Sequence, residues 1–285
     1  MEEKKLICDK STVESLYNEL GTVSEVASRF GKSYNTMKYW FKKFDIKFNT
    51  NKSLFYELKE TSLLRHHKSI IIGSLLGDGY IEMTSHSNKN ARLCIAHCEK
   101  QLPYLHWMCK SLKPFSNKVK LNSVATKKVY KGHVFTSSPI YYFRTVSHPD
   151  LAEMRTMFYN FNKIKTITED NISGVDLLSI LIWYCDDGSL HVDKRDGSLY
   201  INMATNGFSY EEQLILIDTL SNFFNGAIKT YQHSDKDRFD YYIRMYGTKH
   251  ILKFLRDLSS IAIPDSMEYK LDPQRLGVKP LFNIG

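Results

Sequence analysis

The sequence predicts an α+β protein in which a small all-α N-terminal module precedes two αββαββα subdomains related by a pseudo-twofold axis. Three observations predict it. Residues 12–44 carry three short helical periods in succession. Two strongly apolar stretches, 70–76 and 177–185, each run into an acidic Asp-Gly turn, and the segments after those turns repeat one order of elements. The expected boundaries are 1–50 for the helical module, 51–64 for a polar linker, and 65–168 and 169–285 for the two subdomains.

Within the module, Val13, Leu16, Tyr17 and Leu20 follow the spacing of an amphipathic helix that Gly21 ends. Val23, Val26, Ala27 and Phe30 repeat it, opened by Thr22 with Glu25 as a capping box. Gly31 makes a turn, and Ser33 caps a third helix with an expected buried face of Met37, Trp40, Phe41 and Phe44.

The two apolar stretches are expected to be buried helices ending at Asp78-Gly79 and Asp186-Asp187-Gly188, the glycines supplying left-handed helix ends. A carboxylate there opposes the partial negative charge of a helix C-terminus, which favours Lys, Arg or His. A hard cation such as Mg²⁺ held between the turns would account for both. Single Asp-Gly turns are ordinary loop chemistry, so the argument rests on the pair.

After Gly79 come strands at 80–83 and 91–97, a helix at 102–112, a strand pair ending at 140–146, and a helix at 150–159. After Gly188 the order returns, with strands at 190–192 and 199–203, a helix at 210–224, strands at 228–232 and 239–246, and a helix at 249–258. Individual residues correspond: Tyr141-Tyr142-Phe143-Arg144 and Tyr241-Tyr242-Ile243-Arg244 lie 100 positions apart, Asp78 and Asp187 109, Lys165 and Lys270 105.

Composition fits this reading. The 285 residues are 42% hydrophobic and 25% charged, with a net charge of +8 that favours a polyanionic partner. The apolar runs fall short of the roughly 20 residues needed to cross a bilayer, so no membrane association is expected. The N-terminal Met1-Glu2-Glu3-Lys4-Lys5 precedes no apolar signal region, and five cysteines without a C-x-x-C pair suit a reducing compartment, so an intracellular protein is expected.

The stretch around Ala27, Gly31 and Met37 resembles the helix-turn-helix family. The resemblance implies that Tyr34, Asn35, Thr36 and Lys38 face bases, with Lys42 and Lys43 nearer phosphates. A packing or protein-contact module is the other reading of these helices. Residues 66–272 resemble the LAGLIDADG homing endonucleases of the single-chain, two-motif branch. Gly73-Ser74-Leu75-Leu76-Gly77-Asp78-Gly79-Tyr80 matches the first motif, Trp183-Tyr184-Cys185-Asp186-Asp187-Gly188 the second, and Ile263-Pro264-Asp265-Ser266-Met267-Glu268-Tyr269-Lys270-Leu271 the family's late segment.

That resemblance implies a Mg²⁺-dependent, site-specific double-strand DNA endonuclease acting as a monomer. Asp78 and Asp187 would be the metal-binding carboxylates, helped by backbone carbonyls near Gly77 and Asp186, with Lys165 and Lys270 as active-site lysines. Gly73 and Gly77 would allow close helix contact, less intimate on the side of Ile182 and Asp186. The water-positioning places fall on Ala96 and Ala204, a departure from the Gln or Asn common in the family. Candidate DNA contacts are Arg144 and Arg244 on the strands, the basic run Lys118, Lys120, Lys127, Lys128 and Lys131, and Lys194 and Arg195 at a hairpin tip. The alternatives are an RNA-binding intron maturase and a helix-turn-helix transcription regulator with a non-catalytic endonuclease-like domain.

Overall fold

The computed structural model describes residues 9–48, 57–84, 89–130, 133–232 and 240–277, with only the backbone of Lys128, Tyr130 and His133. Lys131 and residues 51–56 of the expected linker lie outside the described residues. Two compact units emerge, Met1–Thr61 and Ser62–Gly285.

In the first unit, α1 (Lys10–Leu20) starts at Asp9, whose carboxylate accepts the Thr12 N–H, and ends at Gly21 in the left-handed conformation, φ 78°. Thr22 opens α2 (Val23–Arg29) by accepting the Glu25 N–H, and Ser33 opens α3 (Tyr34–Lys43) by accepting that of Thr36. Val13, Val26, Met37 and Phe41 are fully buried together with Val23, Ala27 and Ile46. Trp40 and Phe44 are only partly buried, because three short helices enclose too little volume for every large ring.

The second unit holds two lobes. The first begins with α4 (Arg65–Leu76), followed by β1 (Tyr80–Met83), β2 (Ala91–Cys98), α5 (Leu102–Ser111), β3 (Lys120–Ser123), β4 (Lys127–Tyr130), β5 (His133–Thr136), β6 (Ile140–Arg144) and α6 (Pro149–Phe158). A short α7 (Glu169–Ile172) leads to the second lobe: α8 (Leu177–Asp187), β7 (Gly188–Val192), β8 (Leu199–Met203), α9 (Tyr210–Ser221), β9 (Ala227–Gln232), β10 (Tyr241–Tyr246), α10 (Thr248–Leu258) and α11 (Asp265–Leu271). The sheets run β1-β2-β6-β3 and β7-β8-β10-β9, antiparallel throughout. Equivalent strands therefore hold equivalent places.

The first lobe departs from its expected single strand pair: the β4–β5 hairpin is inserted between β3 and β6. Its apolar residues have no core to face, with Val129 71% and Val134 68% exposed, so the usual half-buried alternation is missing from the sequence.

The lobes join through α4 and α8. A Cβ on Gly73 would stand 2.5 Å from the Ser179 carbonyl oxygen and 2.9 Å from Ile182 Cβ. Ser179 Oγ donates to the Ser69 carbonyl at 3.0 Å and Ser69 Oγ to Asp176 at 2.7 Å, so polar groups also fix the crossing. Ile182 and Asp186 are thus the residues against which the two glycines close, and the contact expected to be looser on their side is tight. Neither Gly79 nor Gly188, expected as left-handed helix ends, has a positive φ; the first helix ends earlier, at Gly77 with φ −101°, and Gly188 has φ −77°. Close approach, not backbone handedness, requires them, since a Cβ on Gly188 would strike the Tyr184 ring and carbonyl.

Candidate active site

The repeat makes Gly77 and Asp186 equivalent, so the side chain of Asp186 projects where Gly77 leaves room. A Cβ on Gly77 would be 2.6 Å from Asp186 Cβ. Asp186 thereby reaches across to the first lobe, where Oδ2 accepts the Asp78 N–H at 3.3 Å and Oδ1 accepts the Tyr104 hydroxyl at 3.2 Å. His97 lies beneath, Nδ1 3.8 Å from Asp78 Oδ2 and Nε2 3.7 Å from Asp186 Oδ1. The Asp78 side chain is 52% exposed and that of Asp186 fully buried.

Charge follows from this placement. Burial pushes the Asp186 carboxyl well above the usual carboxylate range, and repulsion from Asp78 and Asp187 adds to it. Burial, then Asp78, raises Asp187 to about 7, against the pull of Lys165 and Lys270. Burial lowers His97, while Asp78 acts in the opposite direction. Among the described residues, Asp78, His97 and Asp186 bring ligand atoms within 4.8 Å of one another. The two His97 nitrogens face different carboxylates, so a single ion takes at most one of them. Half-exposed Asp78 and proton-retaining Asp187 are oxygen donors that fit a hard divalent cation, which would replace the proton and relieve the repulsion.

The lysines resolve the helix-end problem. Lys165 Nζ donates to the carbonyls of Leu75, Gly77 and Gly79 at 2.9, 2.8 and 3.2 Å. Lys270 Nζ donates to those of Asp186 and Gly188 at 3.3 and 2.9 Å. Each lysine brings a cation to the negative end of one helix and satisfies carbonyls that the helix leaves unpaired. Burial lowers both lysines, while the nearby acids pull them up. The Gly77 and Asp186 carbonyls, named from the sequence as helpers of a metal, each accept one of these lysines and keep a second lone pair.

Ala96 and Ala204 bring no polar side-chain atom, and the next residues, His97 and Thr205, are buried. His97 and Tyr104 were missed as site members by sequence reasoning. The inward alternation of Leu93, Ile95 and His97 along β2 was the available signal.

The sequence matches the LAGLIDADG DNA endonuclease family over residues 68–252. The chain belongs to that family. It is 25% identical over 224 residues to Protein RecA of Mycolicibacterium flavescens, covering 75% of this chain and 48% of that protein. It is 29% identical over 140 residues to probable intron-encoded DNA endonuclease 3 of Mycosarcoma maydis, covering 48% of this chain and 95% of that one. The chain spans about half the length of the curated RecA relatives it matches. The fold is similar to that of the homing endonuclease I-WcaI bound to its DNA recognition sequence, at TM-score 0.62 and 22% identity over 81% of this chain and 97% of that one.

The DNA-contact candidates of this LAGLIDADG chain fall into distinct settings. Lys118, Lys120 and Arg144 line a cavity of about 470 Å³ on the first sheet, together with Arg92, which the sequence reading passed over. Arg244 lies instead among the rings of Tyr200, Tyr231 and Tyr242, 4.6, 5.0 and 5.4 Å from their centroids. Arg195 is turned back onto Asp193, Nη2 to Oδ2 2.6 Å, whereas Lys127 on the inserted hairpin and Lys194 at the turn are exposed. On α3, Asn35 is exposed, Tyr34 packs partly into the helical core, Thr36 bonds Ser33 and Lys38 is half-buried. Tyr39, 62% exposed, joins Lys42 and Lys43 on the open side.

Proposed function

We propose that the chain is a site-specific DNA endonuclease that hydrolyses both strands of a duplex with a divalent metal, Mg²⁺ the expected ion, and acts as a monomer. One observation carries the reading: two paired helices end in acids at a single point, and each end has its own lysine over the helix carbonyls. The relative from Mycosarcoma maydis is named an intron-encoded DNA endonuclease, which supports the same activity.

Asp78 and Asp187 would hold the metal, which supplies charge neutralisation and an activated water for phosphodiester hydrolysis. The residues of this chain prepare that chemistry. Lys165 and Lys270 keep the two turns in place and add positive charge where a scissile phosphate would come. Asp186, buried against Tyr104, the Asp78 N–H and His97, fixes the first turn from the second lobe. The exposed face of α3 would extend the DNA contact in the manner of a helix-turn-helix, with Asn35 and Lys38 toward bases and Lys42 and Lys43 toward phosphates. The free Cys94, Cys98, Cys109 and Cys185 accord with a reducing, intracellular setting.

The test is cleavage of a plasmid library of random targets with and without Mg²⁺. Linear product that requires the metal is expected. Asp78→Asn and Asp187→Asn should each lower double-strand cleavage at least about a hundredfold while the protein still retards the same DNA. Undiminished linearisation by both variants would remove the assignment.

A further inference from the structure

Phe161 is 99% exposed, and among the described residues no other large hydrophobic side chain exceeds 71%. It sits in a tightly built turn. Tyr159 and Lys165 pair as an antiparallel bridge, and between them the Asn160 N–H donates to the Ile164 carbonyl at 3.0 Å and the Lys163 N–H to that of Asn160 at 2.9 Å. Asn160 Oδ1 accepts the Ile164 N–H at 3.1 Å, and Lys163 takes the left-handed conformation, φ 62°, that L side chains rarely adopt. A ring left in water gains nothing from this order, so burial within the chain does not account for where Phe161 is held.

The course of the chain places the turn beside the cleavage centre. α6 is laid along β1: His148, just before the helix, pairs with Ala91, which lies opposite Met83 at the far end of β1. Just after the helix, the Tyr159 hydroxyl accepts the Ile81 N–H at 3.1 Å, next to the Asp78-Gly79 turn. The chain therefore leaves α6 heading for the joined ends of α4 and α8. It returns through Lys165, whose ammonium binds the carbonyls of Leu75, Gly77 and Gly79. Phe161 is four residues from that lysine, so their Cα atoms are at most about 14 Å apart.

The surroundings of the ring favour nucleic acid over protein. Asn160, Asn162 and Lys163 are polar and exposed, and within the turn only Ile164 adds exposed apolar surface. Even with Met157, 45% exposed near the end of α6, these side chains fall far short of the roughly 800 Å² that each partner buries in a stable protein interface. A single apolar ring is instead what a duplex accepts, between the faces of two base pairs reached through the minor groove. Lys163, two residues away, supplies a cation for the adjoining phosphate. The offset of 105 that relates Lys165 to Lys270 puts Ser266, inside α11, in the place of Phe161, so the second lobe has no such ring.

We propose that Phe161 is a wedge that enters the duplex through the minor groove and parts one base-pair step beside the cleavage centre. Parting that step bends the duplex and brings its backbone to the acids, so the ring is a positioning residue. This rests on the reading of the chain as a DNA endonuclease.

The test uses the full chain and the duplex recovered from the plasmid library. 2-Aminopurine replaces each adenine around the cut, or pyrrolocytosine each cytosine, one per duplex; both brighten when unstacked. In EDTA the wild type should raise emission severalfold at one step and leave the other positions near the value of free duplex. Phe161→Ala should abolish that rise and slow cleavage at saturating protein by about tenfold while still retarding the duplex, which reports that it is folded. Phe161→Leu, still an apolar wedge, should restore most of both. A duplex that the wild type cuts without brightening at any position, a rise that Phe161→Ala leaves unchanged, or cleavage by that variant at the wild-type rate would overturn the wedge while the endonuclease reading stands. A wild type that sediments as a dimer, with Phe161→Ala a monomer, would assign the ring to a contact between copies and overturn the wedge as well. A chain that neither cuts nor retards any duplex of the library would overturn the functional reading itself.

Discussion

At the scale of single residues, the chain concentrates cost where chemistry is expected. The carboxyl of Asp187 is raised to about 7 from an ordinary 3.8, so the folded state binds a proton more tightly than the unfolded one. Its contribution to stability is present below about pH 4 and is lost as pH rises through about 7. Asp187→Asn removes that loss: without metal the variant should be more stable than wild type above pH 7, by on the order of 2 kcal/mol, and the two should converge toward pH 4 in calorimetry. Metal titration of the wild type should show affinity falling with pH below about 7, because a proton competes for the same carboxylate. The lysines give a second residue-scale prediction. Lys165→Met leaves the carbonyls of Leu75, Gly77 and Gly79 without that donor, which should cost about 1–3 kcal/mol and cause nicked plasmid to accumulate ahead of linear product. Wild-type stability and simultaneous loss of both strands would contradict it. These lysines were legible as a repeated pair. Their hold on helix-end carbonyls was not, because sequence position says nothing of a bond between residues some 90 positions apart.

At the scale of elements, the join between α4 and α8 depends on glycine. Gly73→Ala puts a methyl group into the Ser179 carbonyl and Ile182, and should lower stability by about 1–3 kcal/mol, read as a lower urea midpoint at unchanged slope. Gly174→Ala is the control. Its Cβ would meet only Ile72 Cδ1, at 3.4 Å, so the midpoint should hardly move. Most elements were visible as local periodicity: β1 and β8 fall where alternation put them, and the second and third helices of the first unit begin at Thr22 and Ser33 as polar caps require. The β4–β5 hairpin was not visible, since exposed Val129 and Val134 carry no record of a buried face. Buried His97 was hidden for another reason. Its neighbours along β2 mark its inward direction, but its partners Asp78 and Asp186 come from the ends of two different helices.

At the scale of the whole molecule, α3 leaves Lys42 and Lys43 exposed in the first unit, while Arg92, Lys118, Lys120 and Arg144 line a cavity in the second. Among the described residues no helix is long and apolar enough to cross a membrane. If α3 meets DNA, Lys38→Ala with Lys42→Ala should weaken binding across sequences and flatten the dependence of log affinity on log salt by about 0.9 for each phosphate no longer neutralised. An unchanged slope would assign that unit another role. Cleavage chemistry at Asp78 and Asp187 should survive at saturating protein, because the substitutions lie outside the second unit.

The duplicated order of elements, the two acid-ended helices and the lysine that accompanies each could be read along the chain, because repetition, helical period and residue type are linear properties of a sequence. How those parts meet is a matter of three dimensions. Asp186 crosses from the second lobe to lie under Asp78 because Gly77 leaves space for it, Arg144 reaches a cavity while its counterpart Arg244 is enclosed by tyrosines, and each lysine finds the carbonyls of a distant turn. Those outcomes depend on the register between two helices and on the residues opposite each arginine across a strand pair, and contacts of that kind form only when the chain has folded back on itself.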